Sequence, residues 1–589
     1  MPYIIGIDLG TTNCGLAYAD ANAPDSLRTA PVKLFTIPQL VNPGEVSDES
    51  LLPSFLYLPS QTDFPPGSLG LPWHHKQDAI VGVLAQRRGA ENAGRLVSSA
   101  KSWLSHSGVD RTSPLLPVAG PDGVPKISPV AASKAYLEHL RNAWNQKMPD
   151  ALFNKQTVLI TVPASFDAVA RELTQQAAEK AGYTNVILLE EPQAAFYAWI
   201  ERNPDWREKV KVGDLILVVD VGGGTTDFTL IAVKEEGGEL KLDRSAVGEH
   251  ILLGGDNMDL ALARTVETEL TTKNIKLDTL QLNALWQQCR IAKERLLDPA
   301  NHKDDHPITI LGRGTGLVGG TIKAKLTRAN LEQVLRDGFF PKVSSEEMPH
   351  IRKRVALQEV GLPYAADAAI TRHLAKFLKS EANAKPTHIL FNGGVLRASL
   401  IRERILETIN SWQPTPVVSL QGEDLMHAVS RGAAYYGQAR QGKGVRIRGG
   451  VSRTYYVGIE SSLPAVPGLP TPLKALTVAN FGMEEGTKVD FPNREFGLII
   501  GEPAEFRFFC SPTRKTDNPG DMLEQVGDDL EEISPVEVTL PADGDAGQIV
   551  RVSLETEVTE TGVLQLWCVA KDGRRWKLEF NVREKVAAA

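Results

Sequence analysis

Two short apolar segments of the chain end in the same arrangement of polar residues. The first reads IIGIDLGTT at 4–12, and the second reads LVVDVGGGTTD at 217–227. Each begins as a continuous hydrophobic run of strand length, which is typical of a buried β-strand, and then turns on glycine into paired threonines. The pattern therefore predicts two strand-and-turn units of one kind, widely separated along the chain.

The rest of the sequence divides into two kinds of pattern. Helical periodicity marks segments near 95–105, 130–147 and 282–297, and Ser128-Pro129 is a start signal for the second of these. Beyond residue 450 the pattern changes to short strand-like runs divided by turns, which predicts an antiparallel β-sandwich. We therefore predict an α/β domain over 1–437, with its second lobe beginning near Ile200, a linker over 438–450 and a β-sandwich over 451–589. The acidic stretch 517–532 is predicted to be a solvated loop.

The two repeated turns have the composition of a phosphate clamp. Glycine lets backbone N–H groups approach an anion, the threonine hydroxyls add donors, and Asp8 and Asp220 are suited to holding a hydrated divalent cation. A single turn of this kind is more often an ordinary hairpin, but its repetition favours two similar lobes with a nucleotide cleft between them. The P-loop signature is absent from both turns, so the predicted site belongs to another class of nucleotide-binding protein.

Composition restricts the remaining function classes. The chain has 589 residues, of which 42% are hydrophobic and 23% charged, as expected for a globular protein of several domains. Its net charge of −8 does not favour a nucleic-acid-binding surface. The four cysteines form no CxxC pair, so we expect buried or half-buried thiols in a reducing compartment and not a zinc site or disulfide framework. Without a signal-like or membrane-spanning apolar run, the predicted location is the cytoplasm, with no membrane partner.

A series of motifs resembles the heat shock protein 70 family, whose bacterial member is DnaK. Besides the two turns, the matching segments are, in order, SSAKSWL at 98–104, LITVPASF at 159–166, EEPQAA at 190–195, LGGDNMD at 253–259, FNGGVLR at 391–397 and GAA at 432–434. Ordered motifs of this number are a specific signal. The resemblance implies an actin-like two-lobed ATPase domain followed by a β-sandwich, with ATP or ADP and Mg²⁺ as cofactors.

The resemblance also assigns roles to individual residues. It implies that Asp8 and Asp220 hold hydrated magnesium, and that the catalytic group is Lys101, Glu191, Asp227 and Thr225. The implied nucleotide-binding residues are Gly10, Thr11, Thr12, Asn13, Gly222, Gly223, Gly224, Gly254, Gly255, Lys293, Gly393, Gly394 and Arg397. The positions that relay nucleotide state to the other domain in the family are occupied by Pro163, Arg171 and Glu191. Taken alone, Lys101 also fits a solvated helix lysine, and Glu191 also fits a capping or ion-pairing acid.

Several positions depart from the family pattern around the base. Arg290 stands where the family has an acid, Leu297 where it has a serine, and Met426 where it has another acid. We therefore expect adenine to remain the base, in a pocket rebuilt by Arg290, Glu294 and Leu297.

Other departures concern partners. Ile187 replaces an arginine that helps to dock J-domain co-chaperones, and the linker is basic and glycine-rich where the family has a run of leucines. Coupling between the domains and dependence on J-domain proteins are therefore in doubt. The family carries a helical lid after its β-sandwich, whereas this sequence stops at Ala589, so the lid is either naturally missing or cut off.

The predicted function is that of an ATP-dependent chaperone-like protein, an ATPase that couples nucleotide state to the binding of unfolded or extended polypeptide. Peptide binding is inferred from the family, and a β-module that only stabilises or docks is the alternative for the sandwich. An actin-like small-molecule kinase or filament protein is the alternative for the whole chain. The lack of acceptor-substrate features and the match at Lys101 and Glu191 favour the chaperone.

Overall fold

The computed structural model describes most of the chain. The described residues are 2–22, 29–75, 77–106, 108–118, 120–236, 239–312, 320–350, 361–420, 424–443, 451, 453–461, 472–484, 486–511, 513–527, 529–539, 547–559 and 563–581. They form two compact units, Met1–Ile447 and Arg448–Ala589.

The first unit alternates strands with helices. Its strands are β1 (Tyr3–Leu9), β2 (Asn13–Asp20), β3 (Lys33–Leu34), β4 (Ile37–Asn42), β5 (Glu45–Glu49), β6 (Leu52–Pro53), β7 (Leu56–Tyr57), β8 (Ile80–Val81), β9 (Leu96–Val97), β10 (Thr157–Val162), β11 (Val186–Glu190), β12 (Leu215–Val221), β13 (Thr226–Glu236), β14 (Glu239–Val247), β15 (Asp305–Leu311), β16 (Thr321–Thr327), β17 (His388–Asn392) and β18 (Val418–Ser419).

Its helices are α1 (Val83–Glu91), α2 (Ala100–Leu104), α3 (Pro129–Lys147), α4 (Ala168–Lys180), α5 (Glu191–Arg202), α6 (Trp206–Lys209), α7 (Gly255–Thr272), α8 (Thr279–Leu297), α9 (Arg328–Gln333), α10 (Ile370–Ser380), α11 (Ser399–Asn410) and α12 (Ala428–Arg440). Ser128 caps α3 by accepting a hydrogen bond from the Ala131 N–H, as the sequence predicts. The helix predicted over 95–105 is shorter, because its first residues form a 3₁₀ turn and β9 before α2 begins.

Two sheets of the same topology form the two lobes. In the first lobe the strand order is β11-β10-β1-β2-β3, and in the second it is β18-β17-β12-β13-β14. In each case a parallel pair, β1 with β10 or β12 with β17, stands beside an antiparallel hairpin, β1 with β2 or β12 with β13. The repeated sequence pattern thus occupies equivalent strands of equivalent sheets, which confirms the predicted two-lobed α/β fold.

Helices α5 and α12 join the two lobes. Helix α12 packs on β1, β2 and β10 of the first lobe, while α5 contacts β12, β13 and β17 of the second. The two helices also pack against each other, and a Cβ built on Gly432 of α12 would lie only 1.6 Å from the carbonyl oxygen of Ala194 in α5. Only glycine allows the backbones to approach this closely. The helices and both sheets share one buried core, which therefore spans the base of the two lobes.

Helix α12 also overlaps the predicted linker. The helix continues through Arg440, and the Gln438 side chain is buried and bonds both backbone groups of Ala30. Residues 438–440 of the predicted linker are therefore helical. Residues 444–450 lie outside the described residues.

The second unit is an antiparallel β-sandwich, as predicted. Its strands are β19 (Thr454–Glu460), β20 (Leu473–Ala479), β21 (Thr487–Ile500), β22 (Pro503–Ser511), β23 (Met522–Leu523), β24 (Glu531–Thr539), β25 (Gln548–Val558), β26 (Val563–Ala570) and β27 (Arg575–Asn581). They form two sheets, β23-β20-β19-β22-β24 and β21-β25-β26-β27, with a shared apolar core. Buried residues alternate with exposed or half-buried residues along β25, which is the period-2 pattern of a strand with one face toward a core.

The interpretation of the acidic stretch as a solvated loop is wrong in part. Its residues include β23 and the start of β24, and Leu530 is buried against the five-stranded sheet. The acidic side chains are paired with arginines of the same unit: Glu532 accepts two hydrogen bonds from Arg507, at 2.6 and 2.7 Å, and Asp529 accepts one from Arg514 at 2.9 Å. Strand pairing and these ion pairs order a segment whose composition alone favours a loop.

All four cysteines are buried, as expected, and each is a free thiol. Burial raises the pKa of Cys14 and of Cys568 to about 12, and it also raises the pKa of Cys289 and Cys510. Among the described residues, no helix combines the length and the apolar character that crossing a lipid bilayer requires.

Candidate active site

The two repeated turns lie at equivalent positions in the lobes. The first joins β1 to β2, and the second joins β12 to β13, where the Gly222 N–H donates to the Thr225 carbonyl at 2.9 Å. Because β1 and β12 each belong to both a parallel pair and a hairpin, both turns emerge at the carboxyl ends of the central strands, where ligands bind in sheets of this kind.

The turns face each other across the cleft at very short range. A Cβ built on Gly223 would lie 1.8 Å from the Thr12 Oγ1 atom and 3.2 Å from its Cβ. One built on Gly224 would lie 2.4 Å from the Ser102 Oγ atom and 2.9 Å from a methyl carbon of Thr11. The opposing turns thus leave no room for side chains at these two positions.

Three carboxylates lie beneath the turns, of which Asp220 and Asp227 are buried and Asp8 is half-buried. Asp220 pairs with Asp227 across the β12–β13 hairpin, and Asp8 occupies the equivalent strand of the first lobe. Burial, reinforced by the negative charge of Glu191, raises the pKa of Asp8 to about 7 and that of Asp220 well above its usual value. Burial also raises the pKa of Asp227 to about 7. Such a cluster requires positive charge to remain ionised.

Part of that charge comes from Lys101. It lies in α2 with 6% of its surface exposed, and its ammonium group donates to Glu191, the first residue of α5. Burial acts to lower the pKa of Lys101, but the charges of Glu191 and Asp8 outweigh it and raise that pKa. Lys101 is therefore a buried cation held by two anions and not a solvated surface lysine.

A cavity of about 300 Å³ lies between the turns. Its lining includes the following predicted residues: Asp8, Gly10, Thr11, Thr12, Asn13, Lys101, Glu191, Asp220, Gly222, Gly223, Thr225, Gly255, Lys293, Gly393, Gly394 and Arg397. Five other predicted residues, Pro163, Arg171, Gly224, Asp227 and Gly254, are not part of this lining. Gly224 and Asp227 nevertheless adjoin it, through Thr11 and through the pairing of Asp227 with Asp220.

Gly393 shows why one of these positions requires glycine. Its φ angle is +91°, and a Cβ there would lie 2.3 Å from the Val221 carbonyl oxygen. The turn after β17 therefore packs directly on the end of β12, and a 3₁₀ turn over Gly394–Arg397 follows. This brings the FNGGVLR segment to the cavity wall.

The far end of the cavity contains a charged cluster. Arg290 donates to Asp256 at 2.6 Å and to Asp259 at 2.9 Å, and its guanidinium lies 5.2 Å from the ring centre of Phe55. Lys293 pairs with Asp259 at 2.7 Å and donates to the Gly255 carbonyl at 3.1 Å. Arg290, Glu294 and Leu297 all line the cavity, as the rebuilt-pocket hypothesis requires. The donors of Arg290 and Lys293 are, however, directed at carboxylates and backbone of the protein.

Of the three predicted relay residues, Glu191 lines the cavity, whereas Pro163 and Arg171 do not. Pro163 follows β10, and Arg171 donates to the Ala164 carbonyl at 2.9 Å and to Glu190 at 3.3 Å. Glu190 also accepts from Arg244 of β14 at 2.7 Å. The neighbouring Glu191 instead pairs with Lys101, so the two adjacent acids, Glu190 and Glu191, form ion pairs with different residues.

Sequence reasoning missed several polar residues of the site. Asn392 donates to Asp220 at 2.7 Å, and its side-chain oxygen has no hydrogen-bond partner within the described residues. Asn392 is in register with Asp220, as Thr161 is with Asp8. The internal repeat was the signal that would have identified it. Ser102, which is 1% exposed, also has a hydroxyl without a described partner, adjacent to Gly224.

These groups suit a nucleotide with a hydrated cation. Within the described part of the chain, no group of three or more histidine, cysteine, aspartate or glutamate side chains is arranged to hold a metal ion. Mg²⁺ characteristically keeps several waters and uses one or two carboxylates together with phosphate oxygens, which matches Asp8 and Asp220. The unpartnered side-chain oxygen of Asn392, which lines the cavity, fits a polar ligand there.

Comparisons with known proteins point to one family. The sequence model of a family described as "Hsp70 protein" matches residues 74–346. The chain is 26% identical over 434 residues to the "Chaperone protein HscA homolog" of Aeromonas salmonicida, an alignment that covers 72% of this chain and 56% of that protein. It is 27% identical over 344 residues to the protein of the same description from Pseudomonas aeruginosa, covering 56% of this chain and 46% of that protein. The corresponding Colwellia psychrerythraea protein is 29% identical over 318 residues, covering 52% and 43%. The chain thus spans about half the length of the curated relatives it matches.

Proposed function

We propose that this chain, which the Hsp70 family model matches over residues 74–346, binds and hydrolyses Mg-ATP and couples its nucleotide state to the binding of extended polypeptide. The comparisons favour this function over an actin-like kinase or filament protein. The curated relatives are described as chaperones.

The observation that carries the proposal is the pair of turns that face each other across the cavity. Glycines and threonines of both turns line the same space, so an anion bound there would be contacted from both lobes. A polyphosphate matches this arrangement, because it offers oxygen acceptors on all sides. The base and ribose are assigned to the far end, next to Lys293, Gly394 and Arg397.

The chemistry proposed is phosphoryl transfer to water. Catalysis of this reaction depends on positioning and charge neutralisation more than on covalent participation by the protein. Asp8 and Asp220 would hold the hydrated Mg²⁺, which neutralises charge on the phosphates when bound. Lys101 would stabilise charge at the terminal phosphate, while Glu191 and Asp227 orient water. The contact between Lys101 and Glu191 supports this division, because it fixes the ammonium beside the cluster.

Lys101 gives the direct test of hydrolysis. In Lys101→Ala, turnover of Mg-ATP should fall by about two orders of magnitude, the scale of losing one preorganised charge, while nucleotide affinity changes little because the donors of both turns remain. Turnover by single-turnover kinetics and affinity by calorimetry measure the two effects separately. Lys134→Ala is the matched control, since Lys134 also pairs with a glutamate but lies half-exposed on α3. Unchanged turnover in Lys101→Ala would remove this residue from the mechanism.

We also propose that ATP hydrolysis belongs to the first unit and peptide binding to residues 451–589, with a linker that begins after α12 ends at Arg440. Pro163, Arg171 and Glu191 are the proposed relay. Because the linker sequence is glycine-rich and basic, less apolar area is available to distinguish docked from undocked states, and we expect weak coupling. Release of a fluorescent peptide from the full chain should therefore differ only modestly between ATP and ADP. A large acceleration by ATP would contradict weak coupling.

A further inference from the structure

A hydrogen-bonded group outside the cavity connects the two lobes to Asp227. His250 follows β14 in the second lobe, and its Nδ1 atom lies 2.6 Å from the hydroxyl of Ser165, which follows β10 in the first lobe. The same hydroxyl lies 2.5 Å from Oδ1 of Asp227 in the second lobe. On the other side of the ring, Nε2 lies 3.1 Å from the Ser105 hydroxyl, again in the first lobe.

The single proton of Ser165 determines the direction of these bonds. An ionised carboxylate only accepts, so the hydroxyl must donate to Asp227 when Asp227 is charged. It then accepts from His250, and the proton of a neutral imidazole is placed on Nδ1. Burial lowers the pKa of His250 to about 4, so the ring is neutral near pH 7 and Nε2 carries the lone pair. The Ser105 hydroxyl donates to the Ser102 carbonyl at 2.9 Å and lies 3.1 Å from Nε2, so its single proton must turn away from that carbonyl to reach the lone pair.

We infer that His250 is a positioning residue for ATP hydrolysis, which holds Asp227 in place through Ser165 and does so only when the cleft between the lobes is closed. His250 touches neither the cavity nor the nucleotide site, since it is absent from the lining. Its effect passes through one hydroxyl of the opposite lobe, so opening the cleft separates Ser165 from both His250 and Asp227. The inference rests on the proposed function, because it assigns a role within that reaction.

The packing of the ring supports a positioning role. The His250 ring contacts Phe166 with a centroid distance of 6.1 Å and an interplanar angle of 67°. Phe166 is fully buried and also lies 6.0 Å from the Lys101 ammonium. Two residues in succession, Ser165 and Phe166, therefore fix the ring by a hydrogen bond and by an edge contact. A ring held at both positions presents its Nδ1 atom in one direction.

Substituting asparagine or glutamine for His250 distinguishes the roles of its two ring nitrogens. The amide nitrogen of asparagine replaces Nδ1, whereas that of glutamine reaches the position of Nε2. We expect His250→Asn to keep turnover within about threefold of the wild type, and His250→Ala and His250→Gln to lose about tenfold, the scale of one hydrogen bond to a charged group. Nucleotide affinity should stay within about twofold in all three, because the cavity is untouched.

Ser165 provides a second line of test. Ser165→Ala should lose turnover to the same extent as His250→Ala, and the double variant should lose no more than either single variant, because both break one relay. The matched control is His139→Asn, since His139 is likewise a buried histidine whose pKa burial lowers to about 4, but it bonds the Pro38 carbonyl away from the cleft. The control should lose stability without losing turnover.

Nitrogen NMR of the full chain with Mg-ADP bound tests the geometry independently of activity. It should show the proton of the His250 ring on Nδ1. A proton on Nε2, equal turnover in His250→Ala and wild type, or additive losses in the double variant would each overturn the inference. A wild type that binds nucleotide without hydrolysing it would instead overturn the proposed function, and the role of His250 with it.

Discussion

Alanine substitutions at Gly223 and Gly222 form a matched pair for testing whether the two turns bind one ligand together. Substituting alanine at Gly223 places a methyl group 1.8 Å from the Thr12 hydroxyl oxygen and 3.2 Å from its Cβ. Rotating the Thr12 side chain does not remove the conflict, because a β-branched residue has few χ1 positions and its Cβ stays in place. The turns must therefore move apart in Gly223→Ala.

The size of the effect follows from overpacking. Forcing an extra methyl group into a filled site costs about 1 to 3 kcal/mol. If this cost falls on the closed, ligand-bound cleft, affinity for Mg-ADP drops by roughly 5- to 150-fold. At Gly222 the nearest atom to an added Cβ is the Thr225 carbonyl oxygen at 3.7 Å, an ordinary contact. The Gly222 N–H donates within the turn to the Thr225 carbonyl, and alanine keeps this bond, so we expect the affinity of Gly222→Ala to stay within about twofold of wild type.

Calorimetric titration of both variants with Mg-ADP measures the difference. Thermal unfolding monitored by circular dichroism, without nucleotide, serves as the control for a general loss of structure. The reasoning fails if Gly223→Ala binds as tightly as Gly222→Ala. It also fails if the two variants weaken binding equally, because the structure places an obstacle at only one of the two positions.

Two further predictions concern stability. Arg290→Met leaves Asp256 and Asp259 buried without their shared partner, so it should lower the free energy of unfolding by about 3 kcal/mol. Denaturant titration measures this loss, and a loss below about 1 kcal/mol would show that the two carboxylates find other partners. For His139, the folded pKa of about 4 lies below that of an exposed histidine, so the unfolded chain binds the proton more readily. The free energy of unfolding should therefore fall as the pH drops from about 6.5 to 4, by up to ~3 kcal/mol from this group. His139→Gln should show a shallower fall over that window, and parallel profiles would refute the assignment.

The sequence predicts those parts of the site that a local backbone pattern specifies. Both turns and the two strands that precede them are continuous in sequence, so hydrophobic runs and glycines identify them directly. The register of the sheets then places Asp8 and Asp220 in equivalent positions. The β-sandwich was likewise predictable from the alternation along strands such as β25.

Contacts between distant segments could not be predicted in this way. His250 meets Ser165 and Ser105 across the cleft, and no sequence period connects a loop of one lobe with two segments of the other. Arg290 of α8 pairs with Asp256 of α7 because of how these two helices pack, and the composition of each helix does not predict that packing. Strand β24 was missed because its acidic start resembles a solvated loop until the partner Arg507 on β22 is known.

The burial of all four cysteines makes the native protein unreactive toward thiol reagents. The thiolate is the reacting form, and a pKa raised by burial leaves almost none of it at neutral pH. A pair of cysteines introduced on the surfaces of α1 and α7, one in each lobe, would therefore take up fluorescent labels without background from the native thiols. Energy transfer between such labels would report the distance between the lobes in single molecules as nucleotide binds and leaves.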